Sequence, residues 1–354
     1  MVAGVTDSAL QRLGGLLAPA GPPPGITDEE VDDALLAVAE RHKLLPAVRS
    51  ALAATGASGA VDGLRVAHRR NLARNLVLVE EVNALLAALD GEGIPAAPLK
   101  GIDAVIEGVY PDPGARTMSD LDVLVDPSAG DAAEAVLADL GYRPVMDELP
   151  DHHHLTPVSA PGRVGVVEVH IGLQDRRSPA FLDARAVLGR AQPATGRAGL
   201  RLDRTDAATH LVDHAQHAAP RRRLVLDVRS LHETALVIER VPDVEWGEVR
   251  DRFAAAGIVE RFDAHVAAAT TLFDVEPPVA SGATGRWVAR RELFVEEHPL
   301  VGLVDRPSVH LTRLSRVRME RYFGTPLPGA ALWRARVRYL GEVGRGHLGR
   351  RPAG

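Results

Sequence analysis

The segment Asp120-Leu121-Asp122-Val123-Leu124-Val125 constrains this chain more than any other. Strict polar–apolar alternation demands a strand, because strand side chains point to opposite faces in turn. Leu121, Val123 and Val125 therefore bury one face, while Asp120 and Asp122 project together from the other. Two carboxylates that close repel each other, and one must protonate unless a cation lies between them. Two readings follow. A divalent cation such as Mg2+ satisfies paired carboxylate oxygens. Alternatively, the pair is the charged solvent face of an edge strand, since D-x-D is short enough to arise by chance.

The neighbouring segments bear on that choice. Upstream, Leu99-Lys100-Gly101 reads as a strand end passing into a helix. Gly101 lets backbone approach a ligand closely, and the helix start offers free N–H groups to a phosphate. Lys100 is one of only two lysines in the chain; Lys43 is the other. Downstream, Val166-Val167-Glu168-Val169-His170 alternates again, with Glu168 and His170 on one face. If that strand lies beside the Asp strand, Glu168 becomes a third carboxylate. Three carboxylates suit two-metal phosphoryl or nucleotidyl transfer.

Around these strands the pattern is helical. A breaker cluster, PAGPPPG, spans residues 19–25, and Thr27 with Glu30 forms a capping box before DEEVDDALLAVAE. Apolar spacing predicts a helix from about Val61 to Leu89, buried through Leu72, Leu76, Val79, Val82, Leu86 and Leu89. From Ile94 short strands and helices alternate, with IPAAPLKG as an edge strand because of its prolines. After Asp203 four helical stretches follow, the second running from Arg221 to Val241. The expected class is α+β, a mixed sheet with flanking helices plus N-terminal and C-terminal helical segments. The expected division is 1–90 helical, 91–203 α/β core, 204–280 helical and 281–354 an Arg-rich tail.

Composition excludes several classes. The 354 residues include no cysteine, which removes disulfide scaffolds, Cys-ligated zinc and a Cys nucleophile. The net charge of -6 excludes a uniformly basic nucleic-acid coat. Residues 281–354, however, carry 14 Arg against 6 Asp and Glu. That tail reads either as a basic face for an anionic partner or as a solvated helix face. No run of 18 apolar residues predicts a membrane span, and the N-terminus is a poor signal peptide. The expected location is cytoplasmic.

Taken in order, LKGIDAVIEGVYPDPGARTMSDLDVLV, HHHLTPV and VVEVH resemble the uncharacterised nucleotidyltransferase family of the DNA polymerase β-like superfamily. The resemblance covers roughly residues 90–235. That superfamily usually carries Gly-Gly or Gly-Ser on the first helix turn. Here Lys100-Gly101 stands in its place, without the Ser hydroxyl, and Lys100 can supply charge instead. The resemblance implies Asp120, Asp122 and Glu168 as metal ligands, with Glu168 a ligand or the general base. It implies Lys100, Gly101, Arg116 and Ser119 around the phosphates, and His154 and His170 lining the site. Arg116 as a plain surface charge is the other reading.

The implied activity moves a nucleoside monophosphate from an NTP, ATP first, to an acceptor hydroxyl, with Mg2+ or Mn2+ and release of pyrophosphate. A small molecule or peptide is the first acceptor and tRNA, through a toxin-like activity, the second. A non-catalytic nucleotide-binding regulator is the alternative of another class. His210, His214 and His217 share one helix face, which suits either zinc or a polar packed face.

Overall fold

The structure is a computed structural model that describes residues 8–23, 26, 30–55, 62–146, 153–174, 181–221, 226–298 and 334. Thr27, Val61, His152 and the tail arginines beyond Arg291 other than Arg334 lie outside the described residues, as does the side chain of His217.

Three short helices open the chain: α1 (Ala9–Leu16), α2 (Asp33–Arg41) and α3 (Leu45–Thr55). The α2 helix starts later than the Thr27 capping box predicts. Asp32 is its N-cap and accepts from the Leu35 N–H at 2.9 Å, so the acid run supplies its own cap. The long helix α4 (Asp62–Gly91) follows, then β1 (Ala96–Leu99), α5 (Lys100–Ile106), β2 (Asp120–Val125) and α6 (Gly130–Asp139). Next come β3 (Arg143–Pro144), β4 (Val158–Ser159), β5 (Val166–His170) and α7 (Ala184–Arg190). A two-stranded ribbon, β6 (Gln192–Pro193) with β7 (Leu200–Arg201), leads into α8 (Arg204–Arg221) and α9 (Val228–Arg240). The described part ends in α10 (Trp246–Ala255), α11 (Val259–Phe273) and α12 (Ala283–Glu297). The predicted helix from Arg221 is therefore shorter at its start, since Leu226 and Asp227 are not helical. No described helix is long and apolar enough to cross a membrane.

The five-stranded sheet has the order β1-β2-β5-β4-β3. Pairing is mixed, as expected: β2 and β5 run parallel, and the other pairs antiparallel. The predicted edge strand, β1, lies at the edge. Leu121, Val123, Val125, Val167 and Val169 all bury on one face, against α4 and α6. The opposite face carries the polar members of both strands.

Helix α4 follows its apolar spacing in part: Val82, Leu86 and Leu89 are buried, but Leu76 is 52% exposed, and Asn75, Leu78 and Leu85 join the buried stripe. The reason is what the helix meets. Asn71 Nδ2 donates to the Gly114 and Arg116 carbonyls at 2.7 and 2.9 Å. Asn75 Nδ2 donates to the Pro113 and Arg116 carbonyls, each at 2.6 Å. Glu81 accepts from the Val164 and Gly165 N–H groups at 2.9 and 3.2 Å. Buried backbone groups outside ladders need such partners, so polar residues enter the packed stripe. One helix thereby fixes the loop that feeds β2 and the residues that start β5.

Helices α1–α3 share one apolar cluster with α8–α12. Gly14 of α1 lies against α11, where an added Cβ would come 2.0 Å from the Leu272 carbonyl oxygen. A Cβ on the adjacent Gly15 would meet nothing within 4 Å. In the same cluster, His232 lies between the Tyr110 and Phe273 rings, and His265 bonds Thr234 Oγ1 at 2.9 Å. Burial pushes both histidines down to about 4.

Two outcomes are expected. Gly14→Ala should lose about 1–3 kcal/mol in urea unfolding through overpacking, whereas Gly15→Ala should be neutral or slightly stabilising. Stability should also fall as pH drops from about 6.5 towards 4, because the unfolded chain then binds protons that the two folded histidines refuse. Each histidine contributes up to about 1.4 kcal/mol per pH unit. Melting curves of His232→Phe between pH 7.5 and 5 should show a shallower slope than the parent protein.

Candidate active site

The parallel pairing of β2 with β5 places Asp122 directly beside Glu168, and Leu124 beside His170. Asp122, Glu168 and His170 offer ligand atoms that lie within 4.8 Å of one another. Asp120 stands two residues earlier on the same face of β2 and is half-buried. It lies outside that tightest group, although its charge reaches Glu168. Ser119 is exposed, and its Oγ approaches Asp120 Oδ1 at 3.4 Å.

Lys100 supplies the cation within the cluster. Its Nζ donates to Asp122 Oδ1 at 2.5 Å and lies 3.4 Å from His170 Nε2. Leu99 pairs with Asp122 across β1 and β2. Lys100 follows it with φ of 56°, a left-handed conformation uncommon outside glycine. That backbone turn takes the chain from β1 into α5. His170 Nε2 also bonds Asp122 Oδ1, at 2.8 Å. Burial alone would raise the Asp122 carboxyl, but the Lys100 charge and the His170 hydrogen bond hold it well below the usual carboxylate range. Glu168 behaves oppositely. Burial first, and then the Asp122 charge, push it up to about 7. Burial lowers His170, so the ring is held neutral.

This donor set fits a divalent cation. It offers two carboxylate oxygens and one imidazole, and Glu168 is pushed towards protonation by burial and then by the Asp122 charge beside it. His154 bridges to His170 across the sheet, with ring centroids 5.6 Å apart, and its Nδ1 donates to the Leu155 carbonyl at 2.7 Å. His153 approaches His170 as well, at 5.3 Å between centroids. The structure thus gathers Lys100, Asp122, His154, Glu168 and His170.

Gly101 and Arg116 form a second group. Arg116 is buried rather than on the surface. Its guanidinium occupies the space that a Cβ on Gly101 would need, 2.9 Å away. Its Nε donates to Glu233 Oε2 on α9 at 2.5 Å, and Tyr110 Oη donates to the same oxygen at 3.2 Å. The close approach that Gly101 permits is therefore used by Arg116. Sequence reasoning missed Glu233, Tyr110 and Asp103. The helical spacing of SLHETALVIER places Glu233 among apolar residues, and that was the available signal.

A cavity borders both groups, lined by Lys100, Asp103, Arg116, His210, His214 and Glu233 among others. His210 and His214 lie with ring centroids 6.0 Å apart. Burial, with the Lys100 charge, lowers both.

Solved structures similar to this chain include ANT(2'')-Ia in complex with adenylyl-2''-tobramycin. It is 17% identical and covers 51% of this chain and 96% of that one, at a TM-score of 0.35. The solution structure of the antibiotic-resistance factor ANT(2'')-Ia is 20% identical, covering 51% and 94%, at a TM-score of 0.34. No curated protein matches the chain. The sequence does match one family, over residues 28–274, a span that includes every residue of the carboxylate cluster. The chain belongs to the uncharacterised nucleotidyltransferase family.

Proposed function

We propose that this protein transfers a nucleoside monophosphate from an NTP, ATP first, to a hydroxyl of a small-molecule or peptide acceptor. The observation that carries this reading is the side-by-side pairing of Asp122 and Glu168 on parallel strands, with His170 completing the donor set. In this reading Asp122, Glu168 and His170 hold Mg2+ or Mn2+, and Asp120 extends the set along β2. A bound divalent ion would neutralise charge on the triphosphate and on the leaving pyrophosphate.

The chain's own groups do the rest. Glu168 serves either as a ligand in that set or as the general base that accepts the proton of the acceptor hydroxyl at a carboxylate oxygen. The acceptor oxygen forms its bond to the α-phosphorus as the bond to the bridging oxygen breaks, and pyrophosphate leaves. Lys100 is a positive charge next to Asp122 that can turn to the phosphates. Ser119 and Asp120 lie at the exposed edge of this face, where substrate enters. Arg116 and Gly101 hold the α5 turn against α9, so that Lys100 projects in a fixed direction.

The test incubates full-length protein with labelled NTPs, Mg2+ and pools of hydroxylated small molecules and peptides, and follows pyrophosphate. Asp122→Ala should lower acceptor-dependent release by more than about 10²–10³-fold, the scale set by removal of one charge-stabilising group. Undiminished turnover would sink the mechanism. Glu168→Gln should lower turnover comparably and weaken Mn2+ binding, read by electron paramagnetic resonance without nucleotide. Unchanged Mn2+ binding in that variant removes Glu168 from the ligand set.

A further inference from the structure

The cavity between α5, α8 and α9 has no task in the reaction above. It encloses about 60 Å³, room for a group of a few heavy atoms and too little for a nucleotide. Lys100 is common to its wall and to the carboxylate cluster.

Its polar lining falls into two sets. Arg116 is bonded to Glu233, Arg204 to Glu107, and Arg229 to the Thr117 carbonyl. His210 and one oxygen of Asp103 differ. His210 is only 5% exposed, and neither ring nitrogen has a hydrogen-bond partner among the described residues. Asp103 Oδ1 is buried and equally unpartnered. Buried polar atoms are almost always satisfied, so three such atoms around one cavity mark a place where a ligand supplies the missing bonds.

The chemistry of that ligand follows from the wall. Burial, with the Lys100 charge, pushes His210 down to about 3, so the ring is neutral and has one donor and one acceptor nitrogen. A hydroxyl is likewise both donor and acceptor. Burial pushes Asp103 up to about 7, near the point where it can donate or accept. An ammonium group would face four cationic side chains, while an anion would find Arg116 and Arg204 already bonded to carboxylates. Leu202, Leu211, Val237 and Val241 make much of the remaining wall aliphatic.

We propose that this cavity is an anchoring subsite that takes an uncharged, hydroxyl-bearing aliphatic portion of the acceptor. Its role as an acceptor subsite rests on the nucleotidyl-transfer reading; the binding itself does not. The portion held here is distinct from the reacting hydroxyl, and it fixes the acceptor one side chain away from Asp122.

The experiment titrates full-length protein carrying 15N-histidine with propan-1-ol, propionate and propylamine in turn, without nucleotide or metal. Loss of a signal in His210→Leu assigns the His210 ring. Propan-1-ol should give saturable His210 shifts in the millimolar range, as expected for so small a ligand. The two charged probes should give none. Ala207→Leu, which fills the cavity from α8, should weaken propan-1-ol binding at least about tenfold. No saturable shift, or an equal response to a charged probe, overturns the proposal. The parent-protein titration decides even if Ala207→Leu fails to fold. Because neither NTP nor metal is present, failure here is distinguishable from failure of pyrophosphate release.

Discussion

The repulsion between Asp122 and Glu168 is the constraint on which the site depends. Parallel pairing of β2 and β5 forces the two carboxyls together on a largely buried face. Taking a lone carboxylate out of water costs several kcal/mol even after relaxation. The fold meets that cost from three directions. Lys100 and His170 bond Asp122 and keep it ionised, while Glu168 is driven towards its protonated form. Pairs of neighbouring acids split in this manner are a recurring feature of acid–base sites.

Holding that arrangement requires both strands in register, and α4 supplies much of the restraint. Its asparagines bind the carbonyls of residues 113–116, and its Glu81 binds the N–H groups at the start of β5. A one-residue slip would turn every carboxylate to the apolar face. The Arg116–Glu233 pair joins the same loop to α9, so the helical part of the chain and the sheet meet at the edge of the site. Removing one partner of such a buried pair strands the other charge, which is costlier than the pair's own net contribution.

Much of the sheet was legible because alternation is a local property. β2 and β5 announce themselves in DLDVLV and VVEVH, and the edge position of β1 follows from its prolines. The same local reasoning placed Val82, Leu86 and Leu89 of α4 in the core but missed Asn75 and counted Leu76, which is exposed, as buried. Apolar spacing records which residues can be buried, but backbone groups of a distant loop decide which face is used. The start of α2 is a related case, since several acids in DEEVDD can cap and Asp32 is the one that caps α2.

The sequence by itself determined that Asp120 and Asp122 share a face, that Glu168 and His170 share another, and that the opposite residues are core. Those statements need only the two-residue period of a strand. Tertiary structure decided that the two faces are one, because strand neighbours are chosen by the whole sheet and by α4. It likewise decided that Lys100 lies on Asp122, and that Arg116 turns to Glu233. It also placed His210 and Asp103 around a cavity bordering the carboxylate cluster. Each of these contacts joins residues far apart in the chain, and nothing in their local spacing encodes the meeting.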